Sequence, residues 1–249
     1  MQIKPEVKST VRLDQTMVDQ GLIETRNRAQ QLIAAGSVLV NGTICEKNAR
    51  RITTTDEVTI AGRGLRFVGR GGEKLAFALK RFNVDIYNKT CADIGSSTGG
   101  FTDCLLQNGA KKIYAIDVGK DQLVKRLKED PRVVSLEGTD IRTMDPLPEQ
   151  MDIIAIDVSF ISLKLILPSI ERLLSKGGIV MTLIKPQFEG GKNAVDKHGV
   201  IKDEELRISI VEDLEAWMRK NGWEMVGREE SPVVGGKGNI EYLACLRHA

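Results

Sequence analysis

Along the first sixty residues the apolar positions pass from a helical period to that of a strand. In VRLDQTMVDQGL, Val11, Met17, Val18 and Leu22 recur at roughly helical spacing, and Gly21 supplies a stop. In ETRNRAQQLIAAGS, Thr25 is a good N-cap and Gly36 a good residue to end a second helix. VLVNGTI then places Asn41-Gly42 between β-branched residues, the strongest short hairpin signal. Two helices and a hairpin are expected over about residues 10–60. Further on, TCADIG, KIYAIDV, RVVSLEG, MDIIAIDV and GGIVMTLIK read as buried strands, separated by helical stretches such as QLVKRLKED and LPSIERLLSKG. WEMVGREESP and IEYLACLRH read as a closing antiparallel pair. The pattern predicts a parallel, doubly wound α/β sheet behind a small first unit. The Gly/Arg-rich connection AGRGLRFVGRGG sets the boundary near residues 61–66, giving domains at 1–62 and 63–249.

Composition changes this picture little. Hydrophobic residues at 41% and charged residues at 28% describe an ordinary globular chain, and the apolar run GGIVMTLI is too short to cross a bilayer. MQIKPEVKST carries no apolar leader, so the expected location is cytoplasmic. Cys45, Cys91, Cys104 and Cys245 form no CxxC pair, and of the two histidines only His248 lies near one of them, Cys245, so neither a metal site nor a disulfide framework is expected. Charge adds more. Residues 1–82 hold 14 Lys/Arg against 8 Asp/Glu, whereas residues 83–249 hold 22 against 26. A basic front on an acidic body points to contact with a polyanion at the N-terminal unit.

ADIGSSTGGFTDCLL reads as a strand, a Gly-rich turn and a helix start, a combination that lets a ligand approach the backbone closely. Its spacing does not match GxGxxG, and there is no GK[ST] loop. Asp117 ends the next strand, where α/β folds grip ribose hydroxyls, and Asp140 follows the third strand in GTDIR. Together these resemble the motifs of an S-adenosylmethionine site. The resemblance puts Asp93 near the methionine end, Gly95, Ser96, Ser97, Thr98, Gly99 and Gly100 under the nucleoside, and Phe101 among the cofactor contacts. It puts Asp117 with Val118 on the ribose, Asp140 with Ile141 at the adenine, and Asp157 near the methyl donor.

Four charged residues stand where the pattern favours apolar ones: Lys74 in RGGEKL, Asp157 in AIDVSF, Lys185 in LIKPQFE and Glu241 in GNIEYL. Buried charges must be paired or used. Asp157 ends the fourth strand candidate and Lys185 the fifth, so a parallel sheet brings both to the edge where ligands bind. Methyl transfer to a hydroxyl needs alignment and help in losing a proton, which a lysine can give only when neutral; burial and a second lysine favour that form, while carboxylates oppose it and hold the side chain in place.

Two family resemblances follow from these strings. RLDQTMVDQGLIETRNRAQQLIAAGSVLVNG resembles the S-four RNA-binding domain, the αL module, which implies RNA contact through Arg12, Arg26, Arg28, Lys47, Arg50 and Arg51. The ordered Lys-Asp-Lys-Glu set resembles the FtsJ-like RNA 2′-O-methyltransferases, and RGGEKL, DVSFISL, KPQFE and GNIEYL resemble its TlyA branch, often labelled hemolysin A. The resemblance implies a class I, Rossmann-like methyltransferase fold with a seven-stranded, mostly parallel sheet. It further implies S-adenosylmethionine as cofactor, ribosomal RNA or ribosomal subunits as partner, and 2′-O-methylation of ribose, on cytidine. Lys185 would be the base or hydroxyl-orienting group, Asp157 its support, with Lys74 and Glu241 completing the network. FEGGKNAVDKHGVIKDEE is expected to form a mobile flap over the substrate, with His198 exposed in it. Two other classes compete: a membrane-active cytolysin, which needs an amphipathic or spanning element, and a non-catalytic RNA-binding assembly factor, which needs no cofactor.

Overall fold

The computed structural model describes residues 10–23, 25–34, 36–60 and 66–248, without the side chains of Asn27, Arg28, Gln31 and Lys192. It divides into two compact units, Met1–Arg70 and Gly71–Ala249. The 61–66 connection expected from sequence therefore lies mostly outside the described residues.

In the first unit, β1 (Val11–Arg12) leads directly into α1 (Leu13–Asp19), followed by α2 (Arg26–Ala34), β2 (Val38–Val40), β3 (Thr43–Ile44), β4 (Arg51–Ile52) and β5 (Val58–Ile60). Val11 and Arg12 are extended rather than helical because they pair antiparallel with Ile52 and Arg51, a long-range partner that local periodicity does not reveal. Asn41 and Gly42 take φ of 52° and 74°, the left-handed pair of a tight hairpin turn between β2 and β3. Helix α2 ends as its sequence predicts. Gly36 has φ +67°, its N–H donates to Ile33 O, and the Ser37 N–H donates to Leu32 O, which closes the last turn. Leu13, Met17, Leu32, Ile33, Val38, Val40, Ile52 and Val58 form the core of this unit.

In the second unit, α3 (Arg70–Arg81) precedes β6 (Thr90–Ile94), α4 (Gly100–Gln107), β7 (Lys112–Asp117), α5 (Lys125–Lys128) and β8 (Val133–Glu137). The chain continues through β9 (Met151–Ile156), α6 (Leu163–Ile170), β10 (Leu174–Ile184), α7 (Pro186–Glu189), α8 (Glu204–Lys220), β11 (Trp223–Glu230) and β12 (Tyr242–His248). The sheet is seven-stranded in the order β11-β12-β10-β9-β6-β7-β8. All neighbours are parallel except the two pairs that involve β12. This is the doubly wound sheet expected, with the terminal pair on one edge. Two helical expectations are shorter in the fold. QLVKRLKED yields a single turn, and the end of LPSIERLLSKG joins β10, where Leu174 pairs with Met151 ahead of a register break. Ala92, Ile94, Tyr114, Ile116, Ile154, Ile156, Val180, Val211, Leu214 and Leu246 belong to the main core, which combines strand residues with one face of α8.

Candidate active site

Strand register sets the site. Ile94 pairs with Ile116 on one side and Ile156 on the other, and Ile184 pairs with Tyr242. The next residues along therefore share one edge of the sheet: Gly95, Asp117, Asp157, Lys185 and, preceding the antiparallel β12, Glu241. Strand ends of an α/β sheet are where its ligands bind, and the order reverses about β6.

The turn after β6 depends on backbone that side chains would obstruct. At Gly95, φ is +83° and a Cβ would run into the Asp157 carbonyl oxygen; at Gly99, φ is +103° and a Cβ would meet Leu123 and Leu127. The Gly95 and Ser96 N–H groups donate to Ile116 O at 2.9 and 3.2 Å. Asp117 braces the same turn, accepting from Ser97 N at 2.8 Å through Oδ2 and from Gly119 N at 2.7 Å through Oδ1.

Beside this turn is a cleft of about 510 Å³, lined among others by Gly95, Ser97, Asp117, Val118, Asp140, Ile141, Asp157 and Phe160. Its size is that of an ordinary small-molecule site. Of the residues assigned to the cofactor from sequence, Asp93, Ser96, Thr98, Gly99, Gly100 and Phe101 are not on its wall. Thr98, Gly99, Gly100 and Phe101 form the buried turn into α4. Asp93 is fully buried; its Oδ2 accepts from Thr102 N at 2.8 Å and Thr102 Oγ1 at 2.6 Å, while Oδ1 has no partner among the described residues. Burial pushes its pKa up to about 7, with the charges of Asp157 and Asp117 adding to the rise and Thr102 opposing it. Asp140 is held by its neighbour: Arg142 Nη2 lies 2.6 Å from its Oδ2, and this contact keeps its carboxyl below the usual range.

The four scattered charges form two ion pairs. Lys185 Nζ lies 2.6 Å from Asp157 Oδ1, and Lys74 Nζ lies 2.5 Å from Glu241 Oε2. Burial raises the Asp157 pKa, but the charges of Lys185 and Lys74 outweigh it and the carboxyl ends below its ordinary value. Lys74 is thus electrostatically coupled to the other pair, and the four act as one network. Glu241 does not engage Lys237, which donates instead to His198 O at 2.8 Å. A Cβ on Gly235 would overlap the Glu241 carboxylate, so the loop before β12 leaves room for it.

Sequence reading passed over Ser159 and Phe160. Lys185 Nζ donates to Ser159 Oγ at 2.9 Å. Phe160 is 90% exposed with φ +64°, and its ring centroid lies 4.9 Å from that of Phe188. A left-handed conformation costs a bulky residue about 1–2 kcal/mol, so this one is held by its surroundings. Both residues sit in the DVSF string; the strained conformation leaves no trace in periodicity. The expected flap is tied at several points. Glu189 accepts from Ser162 Oγ and Leu163 N, Asp196 accepts from His198 N and Val200 N, and Asn239 accepts from Ile201 N. His198 is exposed, as expected.

In the first unit, Asp14 is buried and accepts from Arg12 at 2.9 and 2.7 Å, from Arg26 at 3.1 Å and from Gln30 at 2.7 Å. The Arg12 hydrogen bonds, more than any other contact, hold its carboxyl far below the ordinary range, against the effect of burial. Arg12 and Arg26 are thereby fixed in direction. Lys47, Arg50 and Arg51 are exposed, Arg51 donating to Thr10 O at 3.1 Å; the side chain of Arg28 lies outside those described.

A doubly wound sheet, a glycine turn and a strand-end carboxylate on a nucleoside-sized cleft define a class I methyltransferase. The profile of the FtsJ-like methyltransferases matches residues 67–248 and that of the S4 domain residues 11–58, and the chain belongs to the FtsJ-like methyltransferase family. It is 44% identical over 240 residues to hemolysin A of Brachyspira hyodysenteriae, covering 94% of this chain and 98% of that one. It is 39% identical over 239 residues to the 16S/23S rRNA (cytidine-2′-O)-methyltransferase TlyA of Mycobacterium tuberculosis, covering 95% of this chain and 89% of the relative. A solved structure from Streptococcus thermophilus, named as a hemolysin, aligns with TM-score 0.76 and 41% identity over 98% of this chain and 90% of its own.

Proposed function

We propose that this methyltransferase uses S-adenosylmethionine to methylate a ribose 2′-hydroxyl of ribosomal RNA, on a cytidine, and that its N-terminal unit grips the RNA. The observation that carries the reading is the Lys185–Asp157 pair beside a nucleoside-sized cleft, with Lys74–Glu241 coupled to it. The name of the Mycobacterium tuberculosis relative supports the substrate.

The residues present fit the cofactor. The cleft volume is adequate, and its wall carries the carboxylates of Asp117, Asp140 and Asp157, which suit the hydroxyl, amino and ammonium donors of the cofactor. Asp117, Val118, Asp140 and Ile141 would hold its nucleoside, with Gly95 and Ser97 on the same wall, while Asp93 braces the turn from behind through Thr102. When bound, S-adenosylmethionine supplies an electrophilic methyl group on sulfur.

The chain's own residues do the rest. The incoming 2′-hydroxyl must be aligned and must lose its proton as it attacks. Lys185, held beside Asp157, orients that hydroxyl and, as the neutral amine, accepts its proton. Asp157 stays ionised and sets the lysine's direction. The Lys74–Glu241 pair keeps the neighbouring charge balanced and positions the ribose. Phe160 offers an exposed aromatic face beside the cleft, the kind of surface on which unstacked RNA bases rest. Arg12 and Arg26, locked on Asp14, present directed guanidiniums to phosphates, with Lys47, Arg50 and Arg51 as further cations.

The test is to incubate the full chain with methyl-labelled S-adenosylmethionine and either naked ribosomal RNA or intact subunits, then map 2′-O-methyl marks. Ribose methylation at a cytidine is expected; label found only on bases, or none, contradicts the reading. No described helix is long and apolar enough to cross a membrane.

A further inference from the structure

We infer that Ser159 is a positioning residue for Lys185, fixing the direction in which its amino group meets the substrate hydroxyl; the inference rests on the function proposed above. An ammonium has three N–H donors on a freely turning stem. An ion pair attracts the nitrogen without fixing its rotation about Cε–Nζ, whereas one directed hydrogen bond fixes it. Here Asp157 Oδ1 lies 2.6 Å from Nζ as an ion-pair contact outside hydrogen-bond geometry, Ser159 Oγ accepts from Nζ at 2.9 Å, and the Lys185 side chain is only 11% exposed. Ser159 thus sets the rotation at Nζ, and with it the directions of the two remaining positions.

Ser159 can serve as a reference point only if its own backbone is fixed, and it is fixed on both sides. Asp157 N–H donates to Ile94 O at 2.9 Å. Three residues after Ser159, Ser162 Oγ donates to Glu189 Oε2 at 2.5 Å and Leu163 N–H donates to Glu189 Oε1 at 2.8 Å. Glu189 lies in α7, the helix that Lys185 caps, so the segment carrying Ser159 and the segment carrying Lys185 are joined twice: Lys185 to Ser159 and Glu189 to Ser162 and Leu163. Between the two joints, Phe160 is held at φ +64° with its ring against Phe188. The bland account is that Ser159, which lines the cleft, only contacts the cofactor. The two accounts differ in which kinetic constant Ser159 moves.

The experiment compares the wild-type full chain, Ser159→Ala and Ser159→Thr for S-adenosylmethionine Kd by calorimetry, RNA KM, and single-turnover methylation rate at saturating cofactor and RNA. For Ser159→Ala we expect the rate to fall about tenfold, about 1.4 kcal/mol of barrier, with Kd and KM within about twofold of wild type. Ser159→Thr, which keeps the hydroxyl, should recover most of the rate. An unchanged rate in Ser159→Ala overturns the inference, as does a loss confined to Kd or KM, or a Thr variant as slow as Ala with its cofactor affinity intact. If the wild-type chain places no methyl group on ribose, the proposed function has failed; if it does and Ser159→Ala matches it, only this inference has.

Discussion

Lys185 and Asp157 meet, at 2.6 Å, because β10 and β9 are parallel neighbours and each residue directly follows the end of its strand. The pairing holds the carboxylate ionised: the charges of Lys185 and Lys74 overcome the effect of burial and depress its pKa. A depressed carboxylate pKa contributes stability that is present above the unfolded value of about 3.9 and is lost as pH falls through the folded one. Asp157→Asn should therefore flatten the acid side of the stability profile below about pH 4. It should also slow single-turnover methylation at least about a hundredfold. Chemical denaturation from pH 3 to 7 and rapid-quench assays check the two halves.

Asp93, on the neighbouring strand, has the opposite shift. Its carboxyl is raised to about 7, chiefly by burial, so its contribution is fully present below about pH 3.9 and declines as pH rises toward 7. Asp93→Asn, which can still accept from Thr102, should remove that decline and leave the apo chain at least as stable as wild type at pH 8. Denaturant titrations at pH 5 and 8 measure it; a variant much weaker at pH 8 would show that the charged form is favoured in the fold.

Much of this site could be read from the residues. The glycine turn, the strand-end aspartates and the four displaced charges all carry local signals, since each breaks an apolar pattern or requires special backbone. Long-range partners carry none. Nothing near Val11 announces Ile52, nothing in LLSKG announces that Leu174 joins Met151, and the choice of Lys74 over Lys237 as the partner of Glu241 is made by α3 alone. Ser159 and Phe160 stood inside a quoted motif, but their roles depend on the αL turn and on Glu189, which lies far along the chain.

The Lys74–Glu241 pair is buried, with Glu241 only 3% exposed. Lys74→Met leaves an unpaired buried carboxylate and should cost ~3–5 kcal/mol. The double variant Lys74→Met/Glu241→Gln should recover most of that loss in stability while remaining inactive. Gly235→Ala, which would crowd Glu241, should reduce activity without touching a charged group. Thermal melts with parallel methylation assays separate packing from chemistry.

In the N-terminal unit, Asp14→Ala frees Arg12 and Arg26 from their common anchor and should cost about 2 kcal/mol. RNA affinity should fall severalfold as two directed guanidiniums become mobile. Arg12→Ala and Arg26→Ala should each lower the salt dependence of RNA binding by about one ion. Filter binding across a salt series measures this; an unchanged affinity in all three variants would remove Arg12 and Arg26 from RNA contact.

The most direct test of the whole account is the single-turnover rate of Lys185→Ala on ribosomal RNA, with cofactor affinity measured on the same preparation. The account predicts S-adenosylmethionine binding within a few-fold of wild type and 2′-O-methylation slowed by about 10²–10⁴. A folded, cofactor-binding Lys185→Ala protein that methylates ribose at nearly the wild-type rate would contradict it.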